Sequence, residues 1–168
     1  MPSKNLAVMF TDIKGFTERT SDSTRGGLTD YIRNHERLLL PVFRYFHGTV
    51  VKTIGDAFLV TFESPTDAVL CGMTIQEVLR QHNAFAKSDA EKMSVRVAIN
   101  AGEIELKNGD IFGDAVNVAS RLEGIAEAGE VYFTEAVYQT MNRNEAPSTS
   151  IGEKTFKGVP FPIRVYKV

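Results

Sequence analysis

The sequence predicts an α+β fold in which a mainly antiparallel sheet packs against helices. Three observations carry that expectation. Val50 to Phe62 sets two β-rich runs on either side of Gly55-Asp56, and a leading Gly suits the first central position of a two-residue II′ hairpin turn. Leu28 to Phe46 repeats its apolar residues with a helical period. Finally, the elements follow one another as β-α-α-β-β-α-β, an order that a helix-covered antiparallel sheet accommodates.

Leu6 to Thr11 reads as a first, buried strand. Gly15 breaks it, Phe16 to Thr20 makes a short helical turn, and Ser21 to Gly27 is a polar linker. The next helix carries Leu28, Tyr31, Ile32, His35, Leu38, Leu39, Val42 and Phe46 on one stripe. Pro41 should kink or restart it, and Gly48 should end it. His35, on the stripe, reads as a packed and hydrogen-bonded histidine. In the hairpin, Ile54 should face Ala57 and Thr53 should face Phe58. Val51, Phe58, Val60 and Phe62 then share the core face, Lys52 and Ile54 the other, with Asp56 exposed at the tip.

Ser64, Pro65 and Asp67 form an N-cap, a first-turn proline and an acidic first turn. The helix they open buries Ala68, Val69, Gly72, Met73, Gln76 and Leu79 and fades near Ala86. After a charged loop, Lys87 to Lys92, a strand runs from Met93 to Ala101, and Glu103 to Leu106 is expected to return beside it after Gly102. Asp114 to Ala126 is a helix with its apolar stripe at Ala115, Val118, Ala119, Leu122 and Ala126. Glu130 to Phe133 is a short strand, Thr134 caps a helix to Met141, Asn142 to Ser150 is a polar loop, and Ile163 to Val168 is the last strand. The whole reads as a ferredoxin-like α/β sandwich with C-terminal helices and strands added.

The length of 168 residues suits one domain, residues 1–168, and 43% hydrophobic with 24% charged residues is ordinary for a chain that buries a core. A net charge of −2 gives no reason to expect nucleic acid or an anionic membrane as partner, so an anionic substrate must meet local cations or metal. The lone Cys71 forms no internal disulfide and lies in a helical apolar pattern, as a buried structural thiol does. No apolar run approaches the ~18 residues of a membrane span, and Met1 to Asn5 lacks a secretory pattern. The expectation is a cytoplasmic domain without membrane contact of its own.

The chemistry starts with two carboxylates. Val8 to Thr11 runs straight into Asp12 at a strand end, and Asp56 sits on a tight turn. On the hairpin alone, Asp56 is better accounted for as a good turn former than as a metal ligand. Together the two could hold Mg²⁺, a hard ion that commonly takes one or two carboxylates plus substrate phosphates. Backbone amides at Gly15 and Phe16, at a helix start, could hold phosphate.

Phe10-Thr-Asp-Ile-Lys-Gly-Phe-Thr17, Lys52-Thr-Ile-Gly-Asp56, Gly113-Asp-Ala-Val-Asn-Val-Ala-Ser-Arg-Leu-Glu123 and Phe156-Lys-Gly158 stand in register over nearly the whole chain. Together they resemble the class III nucleotidyl cyclases, the adenylyl and guanylyl cyclase catalytic domains. The resemblance implies that Asp12 and Asp56 hold two Mg²⁺ or Mn²⁺ ions, with the Ile13 carbonyl added to one. It implies that Asn117 orients the ribose and Arg121 stabilises charge at the α-phosphate. Periodicity alone would leave that pair on a solvated helical face. Lys157 matches a lysine that reaches the terminal phosphates, although in sequence it is also an ordinary exposed turn lysine. A second phosphate-binding arginine found in some members has no clear counterpart.

Lys52 and Asp110 occupy the base-selecting positions at the family spacing. An ammonium donates to adenine N1 and a carboxylate accepts from its 6-amino group, whereas guanylyl cyclases resemble this with Glu and Cys. The resemblance therefore implies an adenylyl cyclase that converts ATP to cyclic AMP and pyrophosphate. It also implies a head-to-tail homodimer, each site taking its metal aspartates from one subunit and its remaining groups from the other. A motif that begins so near Met1 points to a domain of a longer regulated protein. The rival readings are a guanylyl or unselective cyclase and a degenerate dimerising or nucleotide-sensing module. A diguanylate cyclase lacks support, since Ile54-Gly-Asp-Ala57 stands where its Gly-Gly-Asp/Glu-Glu-Phe turn would be.

Overall fold

The computed structural model describes residues 2–168. In chain order it contains β1 (Ser3–Ile13), α1 (Phe16–Asp22), α2 (Arg25–Tyr45), β2 (Thr49–Ile54), β3 (Ala57–Phe62), α3 (Pro65–Ala84), β4 (Val95–Lys107), β5 (Asp110–Phe112), α4 (Asp114–Glu123), β6 (Val131–Thr134), α5 (Glu135–Thr140), β7 (Thr149–Lys154) and β8 (Ile163–Lys167). The strands form one sheet in the order β2-β3-β1-β4-β6-β8-β7, with β5 paired to β4. Pairing is antiparallel except between β4 and β6. This is the mainly antiparallel α+β sheet that the element order predicts.

Alternation along β1 and β4 sorts side chains onto two faces. Ala7, Met9 and Ile13 join Val97 and Ile99 under α2, α3 and α5, where Leu39, Phe43, Ile75 and Val137 complete the main core. Val8, Phe10, Leu59 and Ile104 turn to the opposite face, which α4 covers through Ala119. Leu122, Ala126 and Phe156 continue that layer over Ala98 and Val165. Asp12 and Arg96 fall on the α4 side by the same parity.

Several local expectations change. The hairpin register pairs Thr53 with Phe58 and Ile54 with Ala57 as read, but a bulge between Val50 and Lys52 moves Val51 to the α4-side layer. The linker shrinks to Ser23 and Thr24, because the Thr24 side chain accepts from Gly27 N at 3.0 Å and starts α2 early. α2 passes through Pro41 as one helix. Its left-handed terminal residue is His47 (φ 63), and Gly48 is demanded by contact instead, since a Cβ there would lie 2.8 Å from the Phe62 ring. α3 opens as read, with Ser64 accepting from Asp67 N at 3.1 Å.

β4 does not turn at Gly102. It runs on to Lys107, and Gly102 serves close packing, where an added Cβ would lie 3.0 Å from Ala115. The reversal comes at Asn108-Gly109 (φ 52 and 75), the positive-φ pair of a type I′ turn, and the returning partner is β5. Thr134 stands at the start of α5, but its hydroxyl donates to Asn100 Oδ1 at 2.6 Å rather than capping. The stretch read as a polar loop already contains the start of β7.

Candidate active site

Asp12 is fixed by strand register. It pairs directly with Arg96 across β1 and β4, and the Arg96 guanidinium donates from Nε to Oδ1 at 2.9 Å and from Nη2 to Oδ2 at 3.1 Å. A planar fork on a carboxylate is the strong form of such a pair. Asp56 is brought in by the hairpin. Gly55 has φ 61 while Asp56 keeps a negative φ, the sign pattern of a II′ turn. The tip folds back onto the end of β1, where Ile13 N donates to Asp56 Oδ2 at 2.8 Å. Asp56 is therefore half-buried and not exposed as read from sequence, because docking on Ile13 removes it from water.

Glu123, at the end of α4, closes this cluster from above. Its Oε1 lies 3.5 Å from Arg96 Nε and makes no hydrogen bond. Burial, with the neighbouring Asp12 second, pushes its carboxyl well above the usual range. Asp12 and Glu123 thus share one guanidinium, with the Asp56 carboxylate held nearby on Ile13. Among the described residues no three Asp, Glu, His or Cys side chains converge to hold a cation by themselves. A hard cation here would take two carboxylates and complete its shell with phosphate and water, which is how Mg²⁺ is commonly bound. The residues fit such an ion.

Lys52 and Asp110, read from sequence as the base-selecting pair, come together from positions far apart in the chain. The Asn108-Gly109 turn returns β5 beside β2, and Lys52 Nζ donates to Asp110 Oδ2 at 2.9 Å. Asp110 Oδ1 accepts from Ile111 N at 2.8 Å, so the carboxylate is oriented at both oxygens. The Lys52 hydrogen bond, then that amide, holds the Asp110 carboxyl below the usual range.

Asn117, Arg121 and Lys157 line a common cleft of about 540 Å³ between α4 and the loop after Phe156. Asn117 and Arg121 are both exposed, one turn apart on the side of α4 away from the sheet. Gly15 takes the left-handed conformation (φ 75) that opens α1 at Phe16 with no side-chain cap, leaving the first amides for an outside acceptor. The sites read from sequence therefore fall into three groups on one chain. Arg96 and Glu123 were missed, and Arg96 supplies a guanidinium where none was expected. The register pairing that sets Arg96 on Asp12 is non-local and leaves no spacing signal, whereas Glu123 lay within a quoted motif without an assigned task.

The fold is that of a nucleotidyl cyclase catalytic domain. The chain belongs to the adenylate and guanylate cyclase catalytic domain family, whose model matches residues 1–168. It is 40% identical over 164 residues to a Myxococcus xanthus protein named serine/threonine-protein kinase pkn2, covering 98% of this chain and 20% of that protein. A crystal structure from Silicibacter pomeroyi, described as an adenylate/guanylate cyclase/hydrolase, aligns with a TM-score of 0.86 at 31% identity, over 99% of this chain and 97% of that one. The adenylyl cyclase CyaB from P. aeruginosa aligns with a TM-score of 0.84 at 27% identity, over 99% and 94%. The chain spans about a fifth of the first of these relatives and 27% of a putative adenylate cyclase of Rhizobium meliloti. Among the described residues no helix is long and apolar enough to cross a membrane.

Proposed function

We propose that this domain is an adenylyl cyclase, converting ATP to 3′,5′-cyclic AMP and pyrophosphate in a head-to-tail homodimer with shared sites. The observation that carries this reading is the Lys52–Asp110 pair at 2.9 Å. An ammonium donor beside a carboxylate acceptor matches the adenine edge, with its N1 acceptor and 6-amino donor. Guanine presents a ring N–H and a carbonyl there, so its polar groups would meet the wrong partners.

The reaction joins the ribose 3′-oxygen to the α-phosphorus of the same nucleotide and expels pyrophosphate. Two Mg²⁺ or Mn²⁺ ions at Asp12, Asp56 and the Ile13 carbonyl would make the 3′-hydroxyl more acidic and neutralise the triphosphate. The protein's own groups do the positioning. Asn117 orients the ribose, and Arg121 places a permanently charged fork against the α-phosphate where negative charge develops. Lys157 and the amides at Gly15 and Phe16 hold the remaining phosphates. Arg96 stands close enough to the carboxylates to meet the same phosphates once it leaves Asp12.

Exposed Ile54, Phe112 and Phe161 lie next to Lys52, Asp110 and the Lys157 cleft, and a second copy packed over this face would cover them. The direct test is product identification after incubating purified protein with Mn²⁺ and either ATP or GTP. Cyclic AMP should form at a rate exceeding cyclic GTP-derived product by roughly a hundredfold or more. Equal turnover of both would overturn the adenylyl reading, and no cyclic nucleotide from either would overturn the cyclase reading itself.

A further inference from the structure

The segment that leads from α3 into β4 is held by its carbonyls, and those of residues 90–94 each accept a hydrogen bond from elsewhere in the chain. Arg19 Nη1 donates to Ala90 O at 2.6 Å, and His82 Nε2 to Glu91 O at 3.0 Å. Lys92 O accepts from Tyr31 Oη at 3.2 Å and from Arg19 Nη2 at 3.4 Å. Asn83 Nδ2 donates to Met93 O at 2.8 Å, and Lys14 N to Ser94 O at 2.8 Å. His82, Asn83 and Tyr31 tie the segment to α3 and α2, whereas Arg19 ties it to α1. Arg19 also stacks on Tyr31, with its guanidinium carbon 3.7 Å from the ring centroid.

The Lys14–Ser94 bond orients the peptide that joins Ile13 to Lys14. A planar trans peptide points its C=O opposite to its N–H. With Lys14 N–H turned to Ser94 at the start of β4, the Ile13 carbonyl is turned away from β4. Ile13 N donates to Asp56 Oδ2, so Ile13 offers both of its backbone groups to the Asp56 side. That is the orientation its carbonyl needs to join the carboxylates around a cation.

What keeps the peptide so oriented lies beyond it. Gly15 follows in the left-handed conformation (φ 75), a joint with no Cβ to restrict it. α1 then has seven residues; Phe16 leans on the main core, but none of the seven is buried. A helix that short is not stable by itself. Arg19 closes a circuit that runs from Lys14 through α1 to Ala90 and Lys92, and back through Ser94. Opened at Arg19, the circuit leaves α1 free to turn about Gly15 and the Ile13–Lys14 peptide free to rotate.

We propose that Arg19 is a positioning residue for the cation site: by bracing α1 against residues 90–92 it holds the Ile13 carbonyl toward the carboxylates. It touches neither nucleotide nor cation, and acts through the Ile13–Lys14 peptide alone. The inference rests on the assignment of Asp12, Asp56 and the Ile13 carbonyl as cation ligands, and the experiment separates the two.

Amide hydrogen exchange and Mn²⁺ binding, both on the nucleotide-free protein, read the brace without any turnover. Arg19→Gln suits a helix and opens no core cavity. It should speed exchange of the Lys14 amide roughly tenfold, the scale of one hydrogen bond to a charged group. The Met93 amide, held by Asn83 Oδ1 at 2.8 Å, should exchange as in wild type. The Mn²⁺ dissociation constant, from the electron paramagnetic resonance signal of free Mn²⁺, should rise roughly tenfold, as when a group that orients a metal ligand is lost. Arg19→Lys keeps the charge over Tyr31 but not the two-carbonyl reach, and should fall between. His82→Ala frees Glu91 O while leaving the circuit closed, so both readings should stay at wild-type values. A Lys14 amide as protected in Arg19→Gln as in wild type would overturn the proposal, as would faster exchange with unchanged Mn²⁺ affinity. Equal acceleration at Lys14 and Met93, or a His82→Ala loss of Mn²⁺ affinity matching that of Arg19→Gln, would reduce Arg19 to fold stability and overturn it too. An Asp12→Asn protein that binds Mn²⁺ normally would instead overturn the cation assignment on which the brace rests.

Discussion

At the scale of single residues, His35 shows how burial alone sets a titration. It is 2% exposed, stacked on Phe58 at 4.9 Å between centroids, and its Nε2 has no hydrogen-bond partner. Packing was legible from its place on the α2 stripe; the missing partner was not, because it depends on what β3 presents opposite. Desolvation lowers its pKa from 6.5 to about 4. The unfolded chain then binds the extra proton between those values, so folding stability rises with pH across the window and is lost as pH falls from 6.5 to 4. The full loss is about 3 kcal/mol at 1.36 kcal/mol per unit. His35→Phe retains the stacked ring and removes the proton site. In urea titrations at pH 7.5, 5.5 and 4.5, the variant should gain on wild type at each acid step. Glu123, whose raised carboxyl favours the fold on its protonated side, acts with the opposite sign but is common to both proteins and cancels in the difference. A constant difference across the three pH values would show that His35 is not buried neutral.

At the scale of elements, what the sequence revealed and what it hid divide along local against non-local determinants. The Ser64-Pro65 helix start, the Gly55-Asp56 hairpin and the α4 stripe were legible because each is written in neighbouring residues. The Val51 bulge, the Asp12–Arg96 pair and the run of β4 through Gly102 were hidden because each depends on a partner strand or helix. The Asn108-Gly109 turn is the exception, a local signal outweighed by the assumption that Gly102 must turn. That turn fixes Asp110 against Lys52, which makes it testable. Gly109 and Gly152 both hold positive φ, at 75 and 90, and neither has a heavy atom within 4 Å of an added Cβ. Valine at either position meets backbone strain rather than a clash, costing about 1–3 kcal/mol. Gly109→Val should in addition raise the KM for ATP severalfold through a displaced Asp110, while Gly152→Val on β7 should lower stability and leave KM alone. Chemical denaturation and steady-state kinetics on the two proteins decide it. Equal KM values would detach the β5 turn from substrate binding.

At the scale of the whole molecule, the three groups of site residues pose a geometric problem that one chain leaves open. Asp12 and Asp56 cluster at the ends of β1 and the β2–β3 hairpin, held from above by Glu123, whereas Asn117 and Arg121 project from the solvent side of α4 into the Lys157 cleft. A helix cannot present one set of side chains to the sheet and another to solvent and have both meet the same phosphate. The proposed head-to-tail second copy would resolve this by bringing its own α4 cleft over the first copy's carboxylates. The pairing of a metal-side lesion with a cleft-side lesion tests that arrangement. Asp56→Ala and Arg121→Ala should each be inactive as homodimers. Mixed in equal amounts, about half the dimers carry both chains, and each of those rebuilds one intact site from Arg121 of one subunit and Asp56 of the other, while its second site carries both lesions. Activity should therefore return to about a quarter of the wild-type value at the same total concentration, and should fall on dilution as dimers part. Different affinity tags on the two chains establish that mixed dimers form. Mixed dimers that form without recovering activity would place every catalytic group within a single subunit and overturn the shared site.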